Sequence, residues 1–280
     1  MEITFLLGNG FDIQCGLKTS YIDFYKYILK KKYSIDLKKA NVKALVSEID
    51  NIIYREIYKS RDKIESWADL EWQLGVFTKQ LQKQNNDVEE LSKRFMEDFE
   101  TLLEDLNDYL KSIQIQDDVK IKEDFSDVLY TTMNDFFYGV LQRENDELNN
   151  ILVDNYSSHY NYRCISFNYT NTLKKVIQSC SEVSMPNRLN NSSHSHIFDK
   201  EIINVHGVIG RYLTLGLNDE TQLATDFFDM SDLNDLIKPK SLENNREYMR
   251  RDAENLIDNS DIIVIFGMSI GSTDKHWWEK

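Results

Sequence analysis

Ile3-Thr4-Phe5-Leu6-Leu7-Gly8-Asn9-Gly10-Phe11-Asp12-Ile13-Gln14-Cys15-Gly16-Leu17-Lys18-Thr19-Ser20-Tyr21 is the stretch that decides the fold. The apolar run Ile3–Leu7 has the length of a strand buried on both faces. It stops at Gly-Asn-Gly and an amphipathic segment follows, so the stretch reads as buried strand, tight turn and helix. That is the layout of a nucleotide cradle. Gly8 and Gly10 can take positive φ and let the backbone approach a phosphate, whose charge suits the amides opening the next helix. The dinucleotide fingerprint is not met, because its third glycine belongs at position 13, which is Ile13, and the next glycine is Gly16. A plain NAD dehydrogenase is disfavoured, and a glycine turn that serves only the path of the chain stays open beside the cradle.

A chain of 280 residues allows one α/β domain with a large insertion or two linked domains. Its 33 basic and 47 acidic residues leave a net charge of −14, which opposes a broad phosphate-neutralising surface and general nucleic-acid binding. Cys15, Cys164 and Cys180 are odd in number and lack C-x-x-C spacing, so neither a disulfide framework nor a cysteine zinc site is expected. A reducing, cytoplasmic compartment follows. No apolar stretch approaches the ~20 residues that span a bilayer, and the N-terminus lacks the basic start of a signal peptide. No membrane partner is expected. Only Pro186 and Pro239 occur, which suits a helix-rich chain.

Tyr21 to Lys32 reads as a helix with an aromatic face, its lysines Lys30, Lys31 and Lys32 complementing the dipole at the end. From 35 to 159 helical spacing dominates. Val42, Leu45, Val46, Ile49, Ile52 and Ile53 form one stripe, Leu91, Phe95, Phe99, Leu102, Leu103, Leu106 and Leu110 another, and Ile113 to Lys122 breaks the pattern. Inside this block Asp69 and Glu71 stand between Trp67 and Trp72, either as working carboxylates or, being two apart and on different helix faces, as a cap and a solvated charge.

Arg163–Phe167 is β-type and leads into Asn168-Tyr169-Thr170-Asn171-Thr172, a helix cap, with Leu173, Val176 and Ile177 on the helix behind it. Residues 184–199 read as a polar loop whose His194 and His196 lack the partners of a metal site. Glu201–Val205 is a third strand ending in His206-Gly207, and Tyr212–Leu217 a further strand before the Asn218-Asp219 turn. Asp261–Phe266 is the most strand-like run and meets the turn Gly267-Met268-Ser269-Ile270-Gly271-Ser272-Thr273-Asp274. Right-handed parallel crossovers bring such strand ends to one edge, so these turns are expected to converge on one crevice. The closing residues open an amphipathic helix that stops at Lys280, so the chain is expected to be C-terminally truncated.

Gly-Asn-Gly-Phe-Asp…Gly-Leu-x-Thr-x-Tyr at 8–21, Trp67-x-Asp69-x-Glu71, Phe167-Asn168-Tyr169-Thr170, Val205-His206-Gly207, Gly216-Leu217-Asn218-Asp219 and Phe266-Gly267-x-Ser269-x-Gly271-x-x-Asp274 form an ordered set. That set resembles the bacteriophage abortive-infection AbiH family over nearly the whole chain. A more distant resemblance, to sirtuin-like domains, lies in the spacing of Gly8, Gly10 and Gly16 and in Asn168, His206 and the Gly267–Gly271 turn. It implies an α/β fold, a sirtuin-like or Rossmann-like parallel sheet built from 1–34 and 160–280, with a large all-helical insertion over 35–159. It further implies NAD as substrate or ligand, cradled at the pyrophosphate by Gly8, Asn9, Gly10, Phe11 and Asp12. Gly16, Thr19, Tyr21, Gly267, Ser269 and Asp274 complete the binding residues, Asn168 sits near the nicotinamide ribose, and His206 is a base. Where sirtuins carry a serine, a proline and an arginine, this chain has Asp12, Lys18 and Tyr21. A carboxylate beside a pyrophosphate is costly unless a cation or ribose hydroxyl meets it, so either Asp12 contacts ribose or the ligand is another nucleotide. The paired cysteines of the sirtuin zinc module are missing, and no metal is expected.

Two functions follow. The first is a cytoplasmic antiphage effector that cleaves the nicotinamide–ribose bond, with Asp12, Asn168 and His206 as catalytic residues. The second is a sensor or scaffold that binds nucleotide without turnover, its acidic helical block recognising a phage protein or a second copy of the chain. Nuclease action ranks last, since it needs an acidic metal cluster and phosphate-gripping basic residues.

Overall fold

The structure, a computed structural model, describes residues 1–35, 46–84, 88–116, 136, 140–154, 160–180 and 196–279. In chain order its elements are β1 (Glu2–Leu7), α1 (Asn9–Gln14), α2 (Tyr21–Tyr33), α3 (Ile52–Ser60), α4 (Trp67–Gln84), α5 (Val88–Gln116), α6 (Gln142–Asp154), β2 (Tyr160–Ser166), α7 (Thr172–Cys180), β3 (His196–Asn204), α8 (Met230–Leu236), α9 (Lys238–Asp258), β4 (Ile262–Phe266) and α10 (Lys275–Trp278). The strands form an all-parallel sheet of order β3-β2-β1-β4. An α/β architecture with a parallel sheet and a helical block is thus present. No helix among the described residues is long and apolar enough to cross a membrane.

β1 is an inner strand, and its apolar run serves both faces. Ile3, Phe5 and Leu7 join Tyr160, Tyr162, Cys164 and the α7 residues Leu173, Val176 and Ile177 on one side. Leu6 joins Ile165, Val205 and the α9 residues Leu242, Ala253 and Ile257 on the other. Since β2 and β3 extend the sheet from one side of β1 while β4 lies on the opposite side, the strand order reverses at β1. Ligand crevices of open parallel sheets form outside the carboxyl ends at such a reversal.

A third and larger core lies in the helical block. It joins the aromatic face of α2 (Tyr21, Phe24, Tyr25) to α3, α4 and α5 and to the segment 213–237. Val42 and Leu45 lie outside the described residues. α5 does not break at Ile113 but runs to Gln116, because Ile113 is buried on the same stripe as Phe99, Leu102, Leu106 and Leu110. Tyr212–Leu217 is not a strand. Leu213, Thr214, Leu215, Gly216 and Leu217 are all buried, but the backbone bridges only Gly207 and Ile237, so the segment is buried chain without a ladder. β3 begins at His196, earlier than the polar composition of 184–199 suggests, because its first residues pair with Tyr160–Tyr162 before a register shift. His194 and Pro186 lie outside the described residues.

The glycines of the first turn serve the packing of two turns. Gly8 has φ −104°, and neither it nor Gly10 is among the glycines of positive φ. The Gly8 amide donates to Phe266 O (2.9 Å) and the Gly10 amide to Gly267 O (2.6 Å). A Cβ on Gly10 would stand 2.5 Å from Gly267 Cα, and Gly267 itself takes φ +67°. Gly10→Ala is therefore expected to destabilise the fold by ~2–3 kcal/mol through overpacking of backbone on backbone. Gly16→Ala, where φ is +87° and no atom lies within 4 Å, should cost only ~1 kcal/mol. Urea denaturation of the two variants measures the difference.

Candidate functional site

At the carboxyl ends of the strands lies a cavity of about 330 Å³. Each strand contributes. Gly8, Asn9, Gly10 and Asp12 follow β1, Asn168 and Thr170 follow β2, His206 follows β3, and Gly267, Ser269 and Asp274 follow β4. Thr19 and Tyr21 line it as well, whereas Phe11 and Gly16 do not. The opposite wall is formed by Glu65 and Ser66 just ahead of α4, by Trp67, Ala68 and Glu71 on α4, and by Leu110 on α5. The helical block also fixes the loop ahead of α2, through Trp67 Nε1 donating to Thr19 O (2.9 Å) and the Tyr109 hydroxyl to Lys18 O (2.6 Å).

Asp12 is 1 % exposed. Its Oδ2 accepts from the Thr170 hydroxyl at 2.7 Å, while Oδ1 finds no hydrogen-bond partner among the described residues. Burial pushes its pKa up to about 7, against the Thr170 hydroxyl and the Asn168 amide, which pull it down. Asn168 donates from Nδ2 to Gly8 O (3.0 Å), and its Oδ1 is likewise buried and unpartnered among the described residues, as is Thr19 Oγ1. Buried polar atoms are normally satisfied. Asp12 Oδ1, Asn168 Oδ1 and Thr19 Oγ1 thus stand unsatisfied, among the described residues, on side chains that line one cavity. Cys15 lies outside this lining, and burial, with the Asp12 charge, raises its thiol to about 11.

Behind His206 stands a buried charge cluster. Lys238 Nζ lies 2.8 Å from Glu71 Oε2 and 2.7 Å from Asp274 Oδ1, and His206 Nε2 lies 3.1 Å from the same Asp274 oxygen. The second Glu71 oxygen accepts from the Gly216 amide at 3.2 Å. One ammonium faces two carboxylates, and it does not compensate both equally. Burial raises Glu71, outweighing Lys238. For Asp274 burial also pushes upward, but Lys238 and His206 together hold its carboxyl well below the usual range. Lys238, which burial alone would depress, is kept above its ordinary value by Asp274 and Glu71.

Sequence reasoning missed Lys238, and it weighed Glu71 only beside Asp69. The two carboxylates part company as their spacing implies. Asp69 is a cap, accepting from the Ser66 amide (2.9 Å) and hydroxyl (2.8 Å), while Glu71 turns inward to the cavity and to Lys238 rather than to solvent. Lys238 opens α9 ahead of Pro239, a helix-start position that reads as solvated, so the sequence offers no local sign of its burial. The Gly216–Asp219 motif holds the turn that carries Asp274: Asn218 Oδ1 accepts from the His276 amide (2.6 Å), and Gln222, held by the Asn218 amide, donates to Ser272 O (3.0 Å).

Two outcomes test this electrostatic account. Removing the cation by Lys238→Met leaves two buried carboxylates and is expected to cost ~3–5 kcal/mol in chemical denaturation, a loss that Glu71→Gln in the same chain partly restores. Asp12→Asn keeps an acceptor for the Thr170 hydroxyl and removes an ionisation that the fold opposes. With a folded pKa of about 7 against 3.8 for the free group, stability is complete below pH 4 and lost as pH rises through 7, by roughly 4 kcal/mol at saturation. The variant should therefore melt higher than wild type at pH 8, with the gain shrinking as pH falls towards 4.

The family model described as bacteriophage abortive infection AbiH matches residues 4–280. No curated protein and no solved structure matches the chain. The match takes in β1 from Thr4 onward, the other three strands, the helical wall and the residues of the cavity from Gly8 to Asp274, and the chain belongs to the bacteriophage abortive infection AbiH family.

Proposed function

We propose that this abortive-infection protein binds NAD or a related nucleotide in the strand-end cavity and hydrolyses its nicotinamide–ribose bond. The observation that carries the reading is the pair of buried, unpartnered oxygens, Asp12 Oδ1 and Asn168 Oδ1, on residues that line one cavity with His206. The order of strand-end residues that resembles sirtuin-like domains supports the same ligand.

Breaking the bond sends its electron pair to the ring nitrogen, so the ring leaves as neutral nicotinamide and the ribosyl carbon becomes oxocarbenium-like. Ionised Asp12 stabilises that charge. Asn168 Oδ1 accepts a hydrogen bond from water and holds it for attack, and His206 takes the proton that the water loses as the new C–O bond forms. The products are nicotinamide, ADP-ribose and a proton.

Purified protein incubated with NAD, with and without phage lysate, is expected to release nicotinamide on chromatography. His206→Ala and Asp12→Asn should each lower the rate by ~100-fold or more. The apparent second-order rate should rise with pH through about 7 as the Asp12 carboxylate forms. Absence of release under both conditions, with NAD still raising the melting temperature, would instead make the cavity a nucleotide sensor.

A further inference from the structure

The charges around the cavity say which part of a nucleotide it takes. None of the described lining residues is lysine or arginine, whereas Asp12, Glu65, Glu71 and Asp274 all contribute carboxylates. His206 is the one side chain there that can carry a positive charge, and it already faces Asp274. Lys238 stands behind this wall rather than in it, its ammonium spent on two carboxylates. A phosphate in such surroundings meets repulsion that low dielectric strengthens. The first turn gives no relief, because the Gly10 amide is engaged by Gly267 O and α1 is only six residues long. What the cavity does offer is acid, aromatic surface from Trp67, Phe167 and Tyr169, and unpartnered acceptors on Asp12 and Asn168. Acid and aromatic faces attract a flat cation, and the acceptors suit ribose hydroxyls. Its volume of about 330 Å³ is at the small end of the ~300–1,000 Å³ of ligand pockets, which suits a nucleoside better than a dinucleotide.

We infer that the cavity takes the nicotinamide riboside end of the nucleotide, a cationic ring on a ribose, and leaves the pyrophosphate and adenosine outside. This rests on the proposed N-glycosidic chemistry and narrows it. Free nicotinamide riboside is then a ligand in its own right, and phosphate groups contribute little to affinity.

Isothermal titration of the whole wild-type chain with NAD, nicotinamide riboside and reduced nicotinamide riboside, followed by competition with ADP and inorganic pyrophosphate, tests it. The riboside should bind within about threefold of NAD and at least tenfold tighter than its reduced, uncharged form. ADP and pyrophosphate in tenfold excess should leave NAD binding unchanged. Displacement of NAD by ADP or pyrophosphate, or equal binding of the charged and uncharged ribosides, overturns the inference while leaving NAD as the ligand. If neither NAD nor the riboside binds, both the inference and the NAD reading fall. Asp12→Asn, whose folding is checked by its melting curve, should weaken the charged riboside more than the reduced one, and equal weakening of the two also counts against the inference.

Discussion

The contact on which the site depends is one ammonium shared by two carboxylates. Glu71 on α4 and Lys238 at the start of α9 are 167 residues apart and meet at 2.8 Å, and the same nitrogen reaches Asp274 on the turn after β4. Through Asp274 the contact extends to His206 at the end of β3. Four distant segments are thereby tied at one point, and the helical block is drawn against the carboxyl edge of the sheet. Take the ammonium away and two buried carboxylates repel one another across the wall of the cavity.

Stability alone does not account for this arrangement. Burying charges costs several kcal/mol per ion, and well-packed apolar side chains of the same volume hold elements together at least as well. Asp12 adds a second cost, since its carboxyl must ionise in a buried place above pH 7. Buried tyrosines such as Tyr25 and Tyr54 in the helical core, and Cys164 beside the sheet, are shifted towards their neutral forms, whereas Asp12, Glu71 and Asp274 are buried carboxylates that line one cavity. Perturbed buried carboxylates in one cleft are a feature that active sites share with structural ion-pair networks.

The strand-turn-helix opening was legible because an apolar run ending in glycine has few other readings, and the convergence of Gly8, Asn168, His206 and Gly267 followed from parallel crossovers. The reason for the glycines was not legible. That Gly8 and Gly10 make room for Gly267 is a contact between turns more than 250 residues apart, and no local pattern distinguishes it from room for a phosphate. Tyr212–Leu217 shows a similar limit, since its alternating sequence suggests one inward face whereas 213–217 are buried on both, and the pattern leaves open what the backbone bonds to. Lys238 was invisible for the opposite reason: a lysine at a helix start is ordinarily wet, and only the meeting of Glu71 and Asp274 makes it a buried one.

Because the cavity lies between sheet and helices, neither part makes it alone. The strand ends bring Asp12, Asn168, His206 and Asp274, but the wall that closes them from water comes from α4 and the segment before it. The same helix carries Glu71, so a shift of α4 moves a wall and a charge together. It would also pull on the loop ahead of α2, which Trp67 holds through Thr19 O, as does Asn9 from the sheet side at 3.0 Å. Cavity shape, the charge compensation of Asp274 and the position of the loop therefore all depend on where α4 lies. The cost of moving it is set by the buried Glu71–Lys238 pair, since a charge separated from its partner inside the protein has no water to replace it.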